Sequence, residues 1–291
     1  MKYAVVAPVA AGVTADPVWM AAFARHLEAC GFESIVVVEH TVLLTQYASV
    51  YPYDPSGRVE LTADTPVPDP LDLLAFLAAH TERLTLATGV LVLPNHHPVV
   101  LAERVATLDV LSGGRVRLAV GTGWLAEELD ACGAEFTTRG RRADEQIQVL
   151  RALWADTPGG AGFHGEFFEF EHAMSYPKPV ARIPIHIGGH SRAAARRAGR
   201  FGDGFQPLGV AGTQLADLIS EMRCTATRFD RDPDSLELSL GHAVPKIDAG
   251  RAEKLASLGA DRVVLAMPPV TAIEEATDMV SACAQRLGLA P

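Results

Sequence analysis

Apolar positions along this chain switch repeatedly between two spacings, and one stretch shows the switch plainly. Leu84 to Leu93 is a nearly continuous β-branched and aliphatic run ended by Pro94 and Asn95, which reads as a strand buried on both faces. From Val99 to Leu111 the period lengthens. Leu101, Val105 and Leu108 fall on one helical face, with Glu103, Arg104 and Asp109 off it. Ser112-Gly113-Gly114 stops that helix, because glycine accepts the left-handed conformation a helix end uses. Arg115 to Val120 is apolar again and ends in Gly121-Thr122-Gly123-Trp124. Strand, crossover helix and strand make a βαβ unit with parallel strands.

The same alternation runs through the whole chain. Strands are expected at 3–7, 34–38, 84–93, 115–120, 185–188, 204–208, 236–244 and 262–267. Helices are expected at 17–30, 70–82, 99–111, 141–154, 191–201, 213–229, 249–258 and 272–287. Asp16 is placed to cap the first helix, and Gly31 to end it. Eight strands alternating with eight helices is the count of a (β/α)8 TIM barrel, although counting alone does not distinguish it from an open doubly wound sheet. Two insertions depart from short connections. Residues 41–69 follow the second strand, lack helical period, and hold Tyr47, Tyr51 and Tyr53, three of the chain's five tyrosines. A loop this long in a compact fold is usually functional, so it is expected to be a substrate lid. Residues 156–182 precede the fifth strand and contain FHGEFFEF, read as a small hairpin or flap. No internal repeat or charged linker divides the chain, so residues 1–291 are read as one domain.

Composition narrows the function. With 48% hydrophobic residues and a formal net charge of −10, the chain can bury a large core. It has no Lys/Arg run to track a phosphate backbone, so no nucleic-acid partner is expected. No apolar run approaches the ~20 residues a membrane helix needs. The N-terminal KYAVVAPVAAGV carries one charge and is broken by Pro8; it is read as a strand and not a signal peptide. Cys30, Cys132, Cys224 and Cys283 lie far apart without metal spacing, as in a reduced cytoplasmic protein. His96-His97 lacks a nearby third ligand, so no metal site is expected.

In a barrel, chemistry collects at the carboxyl ends of strands. Glu39-His40 ends the second strand, Gly121 to Trp124 the fourth, and Gly188-Gly189-His190-Ser191 the fifth. His40 carries a side chain suited to proton transfer near neutral pH; the alternative is a hydrogen-bonded rim histidine. Gly188 to Ser191 opens a helix, and free amides, a hydroxyl and a helix dipole together bind phosphate; the alternative is plain strand–helix architecture. Gly89 within a strand marks a bulge or close backbone approach. Trp124 offers an aromatic wall. Glu127 and Glu128 read as a solvated helix start. Arg139 to Arg142 is either a similar start or a basic patch for an acidic tail. The sequence lacks a P-loop and a GxSxG elbow, and its GxGxxG-like candidate at Gly121 lacks the third glycine.

GVLVLPNHHPVVLAERVATLDVLSGGRVRLAVGTGWLAEE, with GFESIVVVEH, RRADEQIQVLRALW and IGGHSRAAARRAGRFGDGF in the same order, resembles the bacterial-luciferase-like oxidoreductases and monooxygenases. The likeness is nearest to the branch that uses the deazaflavin coenzyme F420. It spans most of residues 20–207. The resemblance implies that Glu39 and His40 lie beside the cofactor ring, with His40 catalytic. It implies that Gly188, Gly189, His190 and Ser191 hold the cofactor phosphate, and that Gly121, Thr122, Gly123 and Trp124 wrap the cofactor. It implies a non-prolyl cis bond at Gly89-Val90 backing the ring. Some relatives carry a catalytic acid at the Trp124 position; this chain does not, and that role does not transfer. The expected function is hydride transfer between F420 and an unknown small-molecule substrate contacted by Tyr47, Tyr51 and Tyr53, in a cytoplasmic homodimer. The nearest alternative is an FMN-dependent monooxygenase using O2. A cofactor-free binding protein is the alternative from another class. A metal-dependent barrel hydrolase is disfavoured, because the first strand ends in VAPVAAG with no HxH pair.

Overall fold

The structure, a computed structural model, describes residues 1–290. Its strands are β1 (Lys2–Val6), β2 (Ser34–Val37), β3 (Thr85–Thr88), β4 (Leu91–Val92), β5 (Val116–Gly121), β6 (Ala161–His164), β7 (Glu169–Ala173), β8 (Ile185–Gly188), β9 (Gly204–Gln206), β10 (Glu237–Ala243) and β11 (Arg262–Ala266). Its helices are α1 (Pro17–Ala29), α2 (Pro70–Ala78), α3 (Pro98–Ser112), α4 (Ala126–Ala131), α5 (Arg139–Trp154), α6 (Arg192–Phe201), α7 (Gly212–Arg228), α8 (Ala249–Ser257) and α9 (Ile273–Leu287). Parallel pairing runs β1–β2–β3–β5–β8–β9–β10–β11 and returns to β1. The sheet is therefore a closed (β/α)8 barrel, and the open-sheet alternative is ruled out. The β6–β7 hairpin is the expected flap before the fifth barrel strand.

Local chemistry explains the helix starts. Asp16 accepts from Val18 N at 2.9 Å and Trp19 N at 3.1 Å, with Pro17 at the first helical position. Asp69 and Pro70 repeat the device at α2. Three sequence expectations need correction. The run 84–93 is not one strand: it breaks after Thr88 and rejoins β5 as β4. Asp109 does not face solvent; it is buried and accepts from Val180 N at 2.9 Å, tying α3 to the segment before β8. A ninth helix, α4, follows the fourth barrel strand.

Side-chain alternation divides the strands into two faces. Tyr3, Val5, Ile35, Leu86, Leu118, Ile187, Phe205 and Leu265 belong to the main core beneath the helices. The inner face is layered along the barrel axis. Ala4, Val36, Ala87 and Val264 form a separate small-residue cluster across the middle. Above it, Gly121, Gly188 and Ala266 leave the mouth open. Below it, Glu33 binds Arg117 at 3.1 Å and Arg262 at 3.0 Å, while Arg262 also binds Glu237 at 2.8 Å. This ionic plug closes the amino-terminal end of the barrel.

His186 sits in the plug, buried, with its Nδ1 lacking a hydrogen-bond partner. Burial, reinforced by Arg117 and Arg262, pushes its pKa from 6.5 down to about 3. The folded protein therefore holds a neutral imidazole that the unfolded chain would protonate below about pH 6.5. The stability this gives is complete above that pH and is lost as pH falls towards 3. Equilibrium unfolding followed between these limits should show stability declining with acid, and His186→Gln should flatten the decline. An unchanged slope in the variant would assign it to other groups.

Candidate active site

The inner residues at the mouth are small, and that creates the site. A cavity of about 1010 Å³ opens over the carboxyl ends of the strands, at the top of the range for small-molecule pockets. Its floor is the break in the third barrel strand. The Gly89–Val90 peptide bond is cis, matching what the resemblance implies. Val90 projects between two glycines: a Cβ on Gly188 would lie 2.5 Å from Val90 Cγ1, and one on Gly121 2.7 Å from Cγ2. Both strand ends must be glycine for Val90 to occupy this place.

His40 lies on the cavity wall beyond β2, and its Nδ1 is 3.0 Å from Glu128 Oε2. Glu128 is 2% exposed, and its other oxygen accepts from Thr41 N at 2.6 Å. The solvated reading of Glu128 is thus wrong. Leu125, which caps α4, and Glu128 and Leu129 within it are all buried, so the spacing i, i+3, i+4 already marked Glu128 as inward-facing. The carboxylate engages Nδ1, which leaves Nε2 as the ring nitrogen free for a ligand. Glu39 lines the same cavity but makes other contacts. Its carboxylate binds Val92 N and, at 2.6 Å, His96 Nε2, locking β4 against β2. His96 is accordingly a structural partner of Glu39; no group of three or more metal-binding side chains occurs among the described residues.

Glu127, also expected in solvent, is half-buried and engaged. It accepts from Ala48 N at 2.6 Å and from Ser49 Oγ at 2.7 Å, and these bonds, the hydroxyl foremost, hold its carboxyl down at about 2. Successive carboxylates of α4 therefore clasp the start of the 41–69 loop. That loop contains no helix or strand and folds over Trp124. The Tyr51 ring meets Trp124 at 5.0 Å, Tyr53 meets His190 at 5.0 Å, and His40 stands 6.1 Å from Trp124. Tyr51 and Tyr53 line the cavity; Tyr47 does not, packing instead on Trp124 and under Arg58. Burial, with Tyr51 alongside, pushes the Tyr53 phenol up to about 12, so it is neutral.

Opposite His40 lies the start of α6. Ser191 caps the helix, its Oγ accepting from Ala194 N at 3.1 Å, which leaves the hydroxyl proton free to donate. Gly189 has φ +132° and its N–H goes to Gln206 O at 3.2 Å, so that amide is already used. The first-turn amides of Arg192 and Ala193 have no intrahelical acceptor. His190 Nδ1 is buried without a partner. Three arginines frame this end. Arg197 is paired with Asp144, Arg141 with Glu166, and Arg139 binds the Gly123 and Phe136 carbonyls. The basic cluster is therefore not a uniform solvated start. Sequence reasoning did not single out Arg197, Gln206, Leu208 or Val9, because the residues flanking barrel loops carry no local signature.

The luciferase-like monooxygenase family matches residues 1–285. The chain belongs to this family. It is an enzyme of the luciferase-like oxidoreductase class. An uncharacterized protein of Mycobacterium tuberculosis is 36% identical over 200 residues, 69% of this chain and 68% of its own. The F420-dependent glucose-6-phosphate dehydrogenase of Amycolatopsis mediterranei is 35% identical over 143 residues, covering 48% of this chain and 42% of that protein. Among solved structures, an F420-dependent secondary alcohol dehydrogenase in complex with an F420-acetone adduct superposes with TM-score 0.78 at 17% identity, covering 98% of each chain. The monooxygenase RslO1 from Streptomyces bottropensis gives 0.75 at 21% identity, over 99% of this chain and 98% of its own. These two likenesses speak for the fold. No helix among the described residues is long and apolar enough to cross a membrane.

One prediction concerns the pair in the wall. Glu128→Gln retains an acceptor for Thr41 N but loses the charge on His40, and turnover should fall by about tenfold to a hundredfold, the usual worth of a partner that orients a functional imidazole. The melting temperature should stay within a few degrees. Turnover equal to the parent's would make the contact purely architectural.

Proposed function

We propose that this luciferase-like enzyme uses coenzyme F420 for hydride transfer to or from a small organic substrate, with His40 as the proton-transferring group. The observation that carries the reading is the arrangement of His40: Glu128 holds Nδ1, while the ring lies on a wall of a cavity whose far end is a helix start. Two curated relatives at 35% identity, from Amycolatopsis mediterranei and Nocardia farcinica, are named as F420-dependent, which supports this cofactor over FMN.

The residues present fit the group. The Ser191 hydroxyl and the first amides of α6 would bind its phosphate, with the orphaned His190 Nδ1 and Arg139 nearby. Gly89, Val90, Gly121 and Gly188 form the small-residue floor for the ring, and Thr122, Gly123 and Trp124 the side wall. F420, when bound, supplies a ring carbon that carries hydride. His40 Nε2 would take or return the accompanying proton. Tyr51, Tyr53 and the rest of the 41–69 loop cover the site and exclude water. The whole chain as a single domain, a homodimer and a cytoplasmic location belong to the same proposal.

Titration of the purified protein with F420 and with FMN tests the cofactor directly. Saturable F420 binding with weaker FMN binding is the expected result; FMN binding with consumption of O2 would instead establish the monooxygenase alternative. Binding of neither would leave a binding protein on the same barrel. The phosphate cradle has its own test. Gly189→Asp with Ser191→Ala places a carboxylate at the helix start and removes the hydroxyl, so affinity should fall at least about tenfold. Unchanged affinity, with circular dichroism showing an intact fold, would place the phosphate elsewhere.

A further inference from the structure

We infer that the substrate is an uncharged molecule with a predominantly apolar body and a hydroxyl or carbonyl group at the reacting carbon, and that anionic substrates are excluded. The inference rests on the F420 reading and follows from where the cavity keeps its charges. Its cations cluster where the start of α5 meets the middle of α6: Arg139, Arg141 and Arg197, the last bonded to the Gly140 carbonyl. Arg141 and Arg197 are already neutralised by Glu166 and Asp144. Arg139 is thus the one arginine of the cavity, among the described residues, without a carboxylate partner, and it stands at the end assigned to the cofactor phosphate. Nothing cationic is left over for a second anion.

The other half of the cavity has a different character. Val9, Ala10, Leu208 and Ala266, from the ends of β1, β9 and β11, face Tyr51 and Tyr53 of the loop. The charged groups that the 41–69 loop brings to the cavity are Asp54 and Glu60, both exposed carboxylates, and Glu39 and Glu128 beside His40 are carboxylates too, so none of these offers an anion a counter-charge. Placing a phosphate or carboxylate here would strip part of its water without supplying a counter-charge. An apolar body, by contrast, gains from covering the same wall. Among the polar groups of the lining, His40 has an Nε2 that can hydrogen-bond one hydroxyl or carbonyl oxygen. The relative named for glucose 6-phosphate need not share its substrate with this chain, since a sugar phosphate would require a cation on this side.

Calorimetric titration of the F420-loaded protein with two ligands of one skeleton tests the inference: 2-octanol, and 7-hydroxyoctanoate, which keeps the carbinol and adds a terminal carboxylate. Glucose 6-phosphate is a third ligand. The neutral alcohol should bind at least about tenfold more tightly than either anion, a difference worth one uncompensated charge. Leu208→Arg, which adds a cation to the apolar wall, should narrow or invert the preference. An anion binding as tightly as the alcohol would overturn the inference, and so would an alcohol that fails to bind. Failure of the cofactor reading is seen separately, as failure to load F420; the same three ligands, titrated against the FMN-loaded or cofactor-free protein, then still decide the charge preference.

Discussion

His40→Ala is expected to leave F420 affinity within about threefold of the parent and to cut turnover by ~10²–10⁴, the usual worth of a positioned proton-transfer group. The contacts proposed for the cofactor come from other strand ends: the Gly89-Val90 floor, the turn after β5 and the start of α6. Removing one imidazole from the wall beyond β2 leaves all of these in place. It does remove the partner of Glu128, a carboxylate that is 2% exposed. That carboxylate keeps its bonds from Thr41 N and Val42 N, so it is not stranded and the loop stays tethered. His40→Gln, which returns a polar group without an exchangeable ring proton, should recover little of the rate. Single-turnover rates within fivefold of the parent would show a hydrogen-bonded rim residue. A collapse of cofactor affinity would show a binding residue, and the proton-transfer role would fall.

The barrel was legible because its strands obey one rule. A strand covered by a helix on one side and by the barrel interior on the other shows a nearly continuous apolar run, as in SIVVV or RVVLA, and the crossover helices change the period. The placement of His40, Trp124 and Ser191 on one rim followed from topology alone. What the sequence did not show depended on contacts between distant segments. Glu128 reaches His40 across 88 residues, and no local pattern links them. Its burial was nonetheless written in the α4 stripe, and the acidic pair was misread because two adjacent glutamates after a glycine turn resemble a solvated start. Glu39 was similarly hidden: its carboxylate serves Val92 N and His96, because the interrupted third strand leaves an amide that its neighbouring strand does not satisfy. The Tyr-rich loop announced itself by length and composition. Which tyrosines reach the cavity was decided by how Glu127 anchors Ala48 and Ser49, leaving Tyr47 off the wall and bringing Tyr51 and Tyr53 onto it.

At the opposite end of the barrel, Arg262→Ala is expected to lower unfolding free energy by about 3 kcal/mol, the low end of the cost of removing one partner from a buried ion pair. Arg262 is 2% exposed and binds both Glu33 and Glu237. Its loss leaves Glu33 with Arg117 alone, and Glu237 with Lys2, whose side chain is half in water. The low end applies because Glu33 and Glu237 retain some solvent, which screens the stranded charges. Although burial opposes ionisation, the neighbouring guanidinium groups hold Glu33 at about 2, and Lys2 with Arg262 holds Glu237 there too. The stability these carboxylates contribute is therefore present above their ordinary pKa of 4.5 and is lost as pH falls through about 2. The gap between Arg262→Ala and the parent should accordingly be widest near neutral pH and close across that window. F420 affinity should stay within about twofold, since the small-residue layer of Ala4, Val36, Ala87 and Val264 separates the plug from the cavity floor. Denaturant unfolding at several pH values, with cofactor titration of the same samples, reads both expectations. A stability loss under 1 kcal/mol would mean that solvent or repacking compensates the plug, and a large loss of affinity would mean that the two ends of the barrel are coupled through its interior.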